Sequence, residues 1–452
     1  MNNLKAGFAT VNITPPLGIA VAGYYVPRYA KGILDDLEVS ALALSTGEKK
    51  VVLVSIDNCG TSRNLMSRIV EAVEKKTGIP GNCLFVASTH THTGACIAKP
   101  SFEADVELIE KYVDFLVIKV ADAVALAVAD LKEAKMGYIT GYAPERVAYI
   151  RRYKMKDGST MTCPPVDDPN IDHAIGELDQ RVHVLRFDRV GGESIVLVNY
   201  GLHADTVNGE LISPDWPGWM RKTLDKALDG VKCIFFNGCE GDVGSTNVHP
   251  KDGDMNDTEI SFDNEMKSPG MARFVGRAIA GTVLQVYDKV KYVDVDNVDI
   301  TIREIAIAAN VPSPEDMPRA KEYKRLHEMG RDDLIPYKAM ELTTVVAEAL
   351  RMCNLENGPD SFYFPLTAIN IGEVALLGIP GEPFTDIGVG IKESDAFALT
   401  LPCALVNGSE GYFPMQSAYD EGGYEARTTR FKAGVAETII KEAKKLLADV
   451  AK

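Results

Sequence analysis

Short apolar, β-branched runs alternate along this chain with longer stretches of helical periodicity, and few architectures accept that alternation. The runs are "KKVVLVSIDN" (49–58), "NCLFVASTH" (82–90), "RVHVLRFD" (181–188), "SIVLVNYGLH" (194–203), "VKCIFFNG" (231–238), "VALLGIPGE" (374–382) and "CALVNG" (403–408). Each is bounded by Gly, Asn or Asp, as strands are. Between several of them, residues 62–76, 104–132, 216–229, 268–288, 337–353 and 431–449 place apolar side chains at three- and four-residue spacing, the period of a helix with one buried face. The pattern predicts an α/β fold in which one or more mixed sheets are flanked by helices. Residues 290–312 alternate apolar and polar and precede the charged tract "SPEDMPRAKEYKRLHEMGRDD". The segment at about 290–335 therefore reads as a peripheral strand/helix element. No Gly/Ser/Pro-rich linker interrupts the chain, so 1–452 reads as a single continuous domain.

Composition narrows the partners. A formal net charge of -16 without any Lys/Arg-rich run argues against nucleic acid and anionic membranes and for a small-molecule substrate. The N-terminal "MNNLKAGFATVNITPP" has no charged n-region leading into an apolar h-region, and no apolar run reaches the roughly 18–20 residues of a membrane span. The eight cysteines form no C-x-x-C pair and read as free thiols in a reducing compartment, so a cytoplasmic location is expected. Oligomeric state leaves no signature here.

The residues that carry chemistry sit where strands end. Ligand crevices of open α/β sheets lie beyond the carboxyl ends of strands, and there the chain places His90 and His92, His203, Asn237 to Asp242, and Glu382. There are only 7 histidines in 452 residues. In extended backbone, positions i and i+2 point to one side, so His90 and His92 address one small volume. Either both bind a metal, or one binds and the other moves protons. Hydrolytic zinc sites combine His with a carboxylate and leave a position for water, and Glu382 is the natural carboxylate.

Eight ordered stretches carry a resemblance: "GFATVNITPPLG", "STHTHTGA", "YIRRYKMKDG", "NYGLHADTV", "ISPDWPGWM", "NGCEGDVG", "IPGEPFTDIG" and "NGSEGYFPMQSAYDEGGYEA". Running from residue 6 to about 426, they resemble the catalytic domain of the neutral/alkaline non-lysosomal ceramidase superfamily, zinc-dependent amide hydrolases. The resemblance implies a zinc ion on His90, His203, Glu382 and Tyr419, with His92 as general base and acid. It maps the arginine of the family's N-R motif onto Arg151, preceded here by Ile150, with Arg152 as the second match. The serine that follows G-D-V in ceramidases is replaced by Gly244. Either Ser245 serves by a one-residue shift or the serine is absent, and absence is the preferred reading. The family's long members continue into a β-sandwich that has no counterpart in these 452 residues.

These features predict a zinc-dependent hydrolase that attacks an amide or ester carbonyl of a small polar or amphiphilic substrate through activated water, with long-chain ceramide a poor substrate. Two alternatives remain at this level. One is a metal-dependent phosphoesterase or sugar-modifying hydrolase, with Asp57, Asp215 and Asp242 joining the metal site. The other is a non-catalytic metal- or ligand-binding relative. Trp216, Trp219, Tyr412, Tyr424 and the segment 92–103 are the candidates for the pocket wall.

Overall fold

The computed structural model describes residues 4–452; residues 1–3 of the expected domain lie outside the described residues. Two sheets pack face to face, each with helices on its outer face. The larger has nine strands. Its main path runs Lys232–Asn237, Ile195–Tyr200, Arg181–Arg189, Lys132–Tyr142, Leu4–Asn12, Glu38–Thr46, Lys49–Ile56, Leu84–Ser88, and Lys291–Val293 adds to Lys132–Tyr142. The pairs at both ends of this path are parallel and the inner ones antiparallel. The smaller sheet orders Val298–Ala308, Ser361–Ile371, Val374–Gly378 and Leu399–Cys403.

The two-residue period of a strand sorts side chains between the layers. Along Glu38–Thr46, Val39, Ala41 and Ala43 face the helices Arg63–Thr77 and Val106–Ala129. Leu42 and Leu44 face inward to Phe85, Phe236, Ile369, Leu376 and Leu401 between the sheets. The helices Asp215–Ala227 and Pro269–Val286 cover the other half of the large sheet, with Trp216 buried against Phe235. Val435–Val450 and Thr385–Lys392 cover the small sheet. The 24-residue helix Val106–Ala129 is apolar on one broad face, and no helix among the described residues is long and apolar enough to cross a membrane.

The large sheet curls until its two ends approach each other. Ser55 Oγ donates to the Phe235 carbonyl at 2.6 Å, and the Phe85 and Phe236 rings meet edge to face at 5.6 Å. Residues 404–407 bridge the gap: Ala404 N donates to Asn237 O (2.9 Å) and Asn407 N to Val86 O (2.8 Å).

The run 290–312 divides in a way its alternation did not foretell. Val298–Ala308 pairs along its whole length with Ser361–Ile371, and Ile305 and Ile307 close the core under the C-terminal helix. This strand is thus an edge of the smaller sheet and not an appendage. The charged tract forms the helix Met317–Glu328, packed on Ala339–Leu355 through Met317, Ala320, Ala349 and Met352. The eight cysteines are free.

Candidate metal centre and active site

The curl of the large sheet determines what meets. His90 follows the strand Leu84–Ser88 at one end of the sheet, and His203 follows Ile195–Tyr200 near the other. Glu382 enters from the far end of the Val374–Gly378 segment, in a short parallel pair with Tyr412. His90 has φ 70°, a left-handed conformation that a side chain rarely adopts and that the surroundings must enforce.

The ligand atoms of His90, His203 and Glu382 all lie within 4.8 Å of one another, in fully buried surroundings. Glu382 Oε2 is 3.4 Å from His90 Nε2 and 3.3 Å from His203 Nε2. Both imidazoles are held from behind. His90 Nδ1 donates to the Cys59 carbonyl at 2.6 Å, and His203 Nδ1 to the carbonyls of Glu240 (2.8 Å) and Val243 (3.1 Å). That fixes the tautomer and turns each Nε2 lone pair toward the cluster, the arrangement metal-binding histidines use. Glu382 Oε2 is a buried oxygen with no hydrogen-bond partner, which a bound cation would satisfy. The donor set therefore fits a divalent ion. Cys59, His90 and His92 form an overlapping group of the same kind.

Burial opposes charge on His90, but Glu382 and Cys59 raise its imidazole well above the ordinary value, so a cation bound there would displace a proton. Burial opposes charge on Glu382, but His90 and His203 hold its carboxyl well below the usual range. Burial and the Arg151 guanidinium lower His203 to about 4. For His92, burial and the neighbouring His90, His203 and Lys267 push the imidazole well below its ordinary value, so it is neutral. His92 Nε2 is 3.2 Å from His90 Nε2. Its Nδ1 faces Asp205 Oδ2 at 3.5 Å. Asp205 in turn accepts from the Tyr24 hydroxyl at 2.7 Å and pairs with Lys267, which also pairs with Glu265.

Arg151 is brought to the cluster. Its Nη1 reaches His203 Nε2 at 3.3 Å, its Nε donates to Glu425 Oε1 at 2.7 Å and its Nη2 to the Gly241 carbonyl at 2.8 Å. Arg152 instead pairs with Glu421 at 2.9 Å.

Tyr419 is not brought there. It sits on the short helix Gln416–Glu421 against the C-terminal core, and its hydroxyl donates to the Phe431 carbonyl at 2.8 Å. The phenol beside the cluster is Tyr412, paired in register with Glu382 and lying under Arg151, whose guanidinium carbon is 5.4 Å from its ring centre. Tyr424 packs edge-on to Tyr412 at 5.6 Å. Ser245 is likewise elsewhere, lining a separate cavity with Arg146, Tyr149 and Phe274. A side chain at 244 would point at Arg151, since a Cβ there would lie 3.7 Å from Arg151 Cβ. One residue further along extended backbone, Ser245 faces away.

The acidic residues of the phosphoesterase alternative are occupied structurally. Asp57 accepts two bonds from Arg221, at 3.0 and 2.6 Å. Asp215 accepts the amides of Thr206 and Val207 at 2.8 and 2.9 Å. Asp242 accepts from the amide and hydroxyl of Thr385, both at 2.8 Å. Trp216 is core, its Nε1 donating to the His203 carbonyl at 3.1 Å, and Trp219 lies on another cavity. Three residues of the site escaped the sequence reading, Asp205, Glu425 and Cys59, whereas Glu240 lay in the strand-end segment 237–242. Glu240 is fully buried, with neither carboxylate oxygen hydrogen-bonded, and burial together with Glu382 raises it well above the carboxylate range. Asp205 stands two residues after His203, a spacing that puts both on one side.

A cavity of about 770 Å³ opens over the cluster. His90, His92, Cys59, Glu382, Tyr412 and Tyr424 form its floor, and Ser101 alone of the segment 92–103 beyond His92 lines its wall. The helix Ala339–Leu355 supplies Ala347, Leu350, Arg351, Asn354 and Leu355, whose spacing marks one helical face.

No family model matches this sequence, and no curated protein matches it. Among solved structures the chain is similar to the neutral ceramidase of Pseudomonas aeruginosa, at TM-score 0.74 and 17% identity, covering 100% of this chain and 75% of that one. It is also similar to a ceramidase complexed with C2, at TM-score 0.72 and 17% identity, with the same coverage. The chain has the neutral ceramidase fold.

Proposed function

We propose that this chain is a zinc-dependent hydrolase of the neutral ceramidase superfamily, in which activated water attacks the amide or ester carbonyl of a small polar or amphiphilic substrate. The observation that carries this reading is the convergence of His90 Nε2, His203 Nε2 and a partnerless Glu382 Oε2 on one buried point. These three residues would hold the ion, with the Tyr412 phenol as the fourth donor in place of Tyr419. When bound, a divalent ion supplies Lewis acidity and a lowered water pKa.

The remaining chemistry belongs to the chain. His92, neutral and backed by Asp205, takes a proton from the attacking water and returns it to the departing amine or alcohol. Arg151, held by Glu425 and the Gly241 carbonyl, presents Nη1 to the oxygen that gains charge as the carbonyl becomes tetrahedral. With Ser245 on another cavity and glycine at 244, neither position brings a serine hydroxyl to this step. Free cysteines suit a reducing compartment, and the cytoplasm is the location we assign.

The test is elemental analysis of the purified protein, followed by a panel of N-acyl amines, N-acyl amino acids, esters and phosphoesters. We expect one zinc per chain and turnover of carbonyl substrates, with long-chain ceramide poorly cleaved. A metal-free protein that zinc does not activate, or turnover confined to phosphoesters, would overturn the reading.

A further inference from the structure

Arg351 lies on the cavity face of the helix Ala339–Leu355. Its Nε and Nη1 donate to the carbonyls of Arg427 and Asn310, at 3.0 and 2.8 Å. These are neutral acceptors, so the bonds orient the guanidinium without cancelling its charge. The nearby acids are engaged elsewhere: Glu348 with Arg427 at 2.7 Å, and Asp316 with Arg319 at 3.1 Å. Across the cavity, Glu410 is held between Arg63 at 2.6 Å and Arg430 at 3.2 Å. Of the two arginines that line the cavity, Arg430 is thus neutralised by Glu410, whereas Arg351 has no carboxylate partner among the described residues. An uncancelled guanidinium in a concave wall attracts an anion.

We propose that the substrate carries a free carboxylate, bound by Arg351 through its remaining N–H groups while the scissile carbonyl lies over the histidines. A guanidinium fork matches a carboxylate geometrically, and such charge-assisted bonds are the strong ones. One unpaired guanidinium on this face suits one negative charge. The apolar neighbours Ala347, Leu350 and Leu355 leave room for an aliphatic portion. The substrate class is thus an N-acyl amino acid or a similar carboxylate-bearing amide. This assignment rests on the hydrolase reading for its chemistry but not for its binding.

The test uses zinc-loaded protein carrying His92→Ala, so that ligands stay intact, and calorimetric titration with N-hexanoylglycine and its neutral analogue N-hexanoylglycinamide. The carboxylate should bind about ten-fold more tightly, the worth of one charge-assisted contact. Adding Arg351→Gln should reduce the preference to within about two-fold while leaving the neutral ligand's affinity unchanged, and Arg351→Lys should restore part of it. Equal affinity for the two ligands, or a preference that survives Arg351→Gln, would overturn the assignment. If the preference is present but native protein turns over no carbonyl substrate, the hydrolase reading fails and the anion site stands.

Discussion

His90, His203 and His92 lie in one cluster, yet their substitution should have opposite consequences. His90→Ala or His203→Ala should lower zinc affinity at least about 100-fold, since each removes a ligand whose orientation is already fixed by a backbone carbonyl. His92→Ala should retain the metal and lose about 10²–10⁴-fold in kcat, the range of a lost proton carrier. Metal content alongside kinetics separates the two, and a His92→Ala protein that loses its metal would make His92 a ligand. The tyrosines offer a second contrast. Tyr412→Phe should weaken zinc binding, whereas Tyr419→Phe removes the bond to the Phe431 carbonyl and should cost about 1 kcal/mol of stability with the metal site intact. The histidines and Glu382 were legible as polar residues at strand ends. Tyr412 was legible only as a candidate for the pocket wall, because its place beside Glu382 comes from a two-residue parallel pairing that leaves no periodic trace. Asp242 reports on pH: burial raises its carboxyl to about 6, against about 3.9 unfolded. The folded state thus holds this proton longer, so stability falls as pH rises from about 4 to about 6. Denaturation midpoints across that window should show a loss on the order of 2–3 kcal/mol that Asp242→Asn removes.

Among the elements, the short segment 404–407 has an importance out of proportion to its length. Asn407 has φ 55°, its side chain accepts from Val86 N at 3.0 Å and donates to the Leu84 carbonyl at 3.2 Å, and Leu405 is also left-handed at φ 54°. Asn tolerates that conformation better than other side chains, since it bonds locally. Asn407→Ala should cost about 2–3 kcal/mol by leaving buried strand-edge groups unpaired and placing alanine at positive φ. Urea denaturation measures it, and a loss under 0.5 kcal/mol would show that the segment does not hold the ends of the sheet together. The strands and most helices follow from periodicity, because burial selects apolar residues at fixed intervals. Sheet closure does not. It depends on contacts such as Ser55 with Phe235, 180 residues apart, and no local pattern encodes them. The alternation at 290–312 likewise showed a strand with two unlike faces without showing which sheet it joins.

At the scale of the whole molecule, the order in which the ligands arrive matters more than their chemistry. His90, His203 and Glu382 come from opposite ends of the curled sheet and from the segment after Val374–Gly378 in the second sheet. An ion gripping all three closes chain loops of over a hundred residues, so no partly unfolded state that parts the sheets can keep it. Binding free energy then becomes folding free energy. Zinc at about 1,000 times its dissociation constant should stabilise the native state by about 4 kcal/mol, raising the melting temperature, and chelation should reverse the gain. His92→Ala should show the same shift and His203→Ala little of it. The centre would then be a staple as well as a reagent, with the chain completing its fold only as it acquires the means to react.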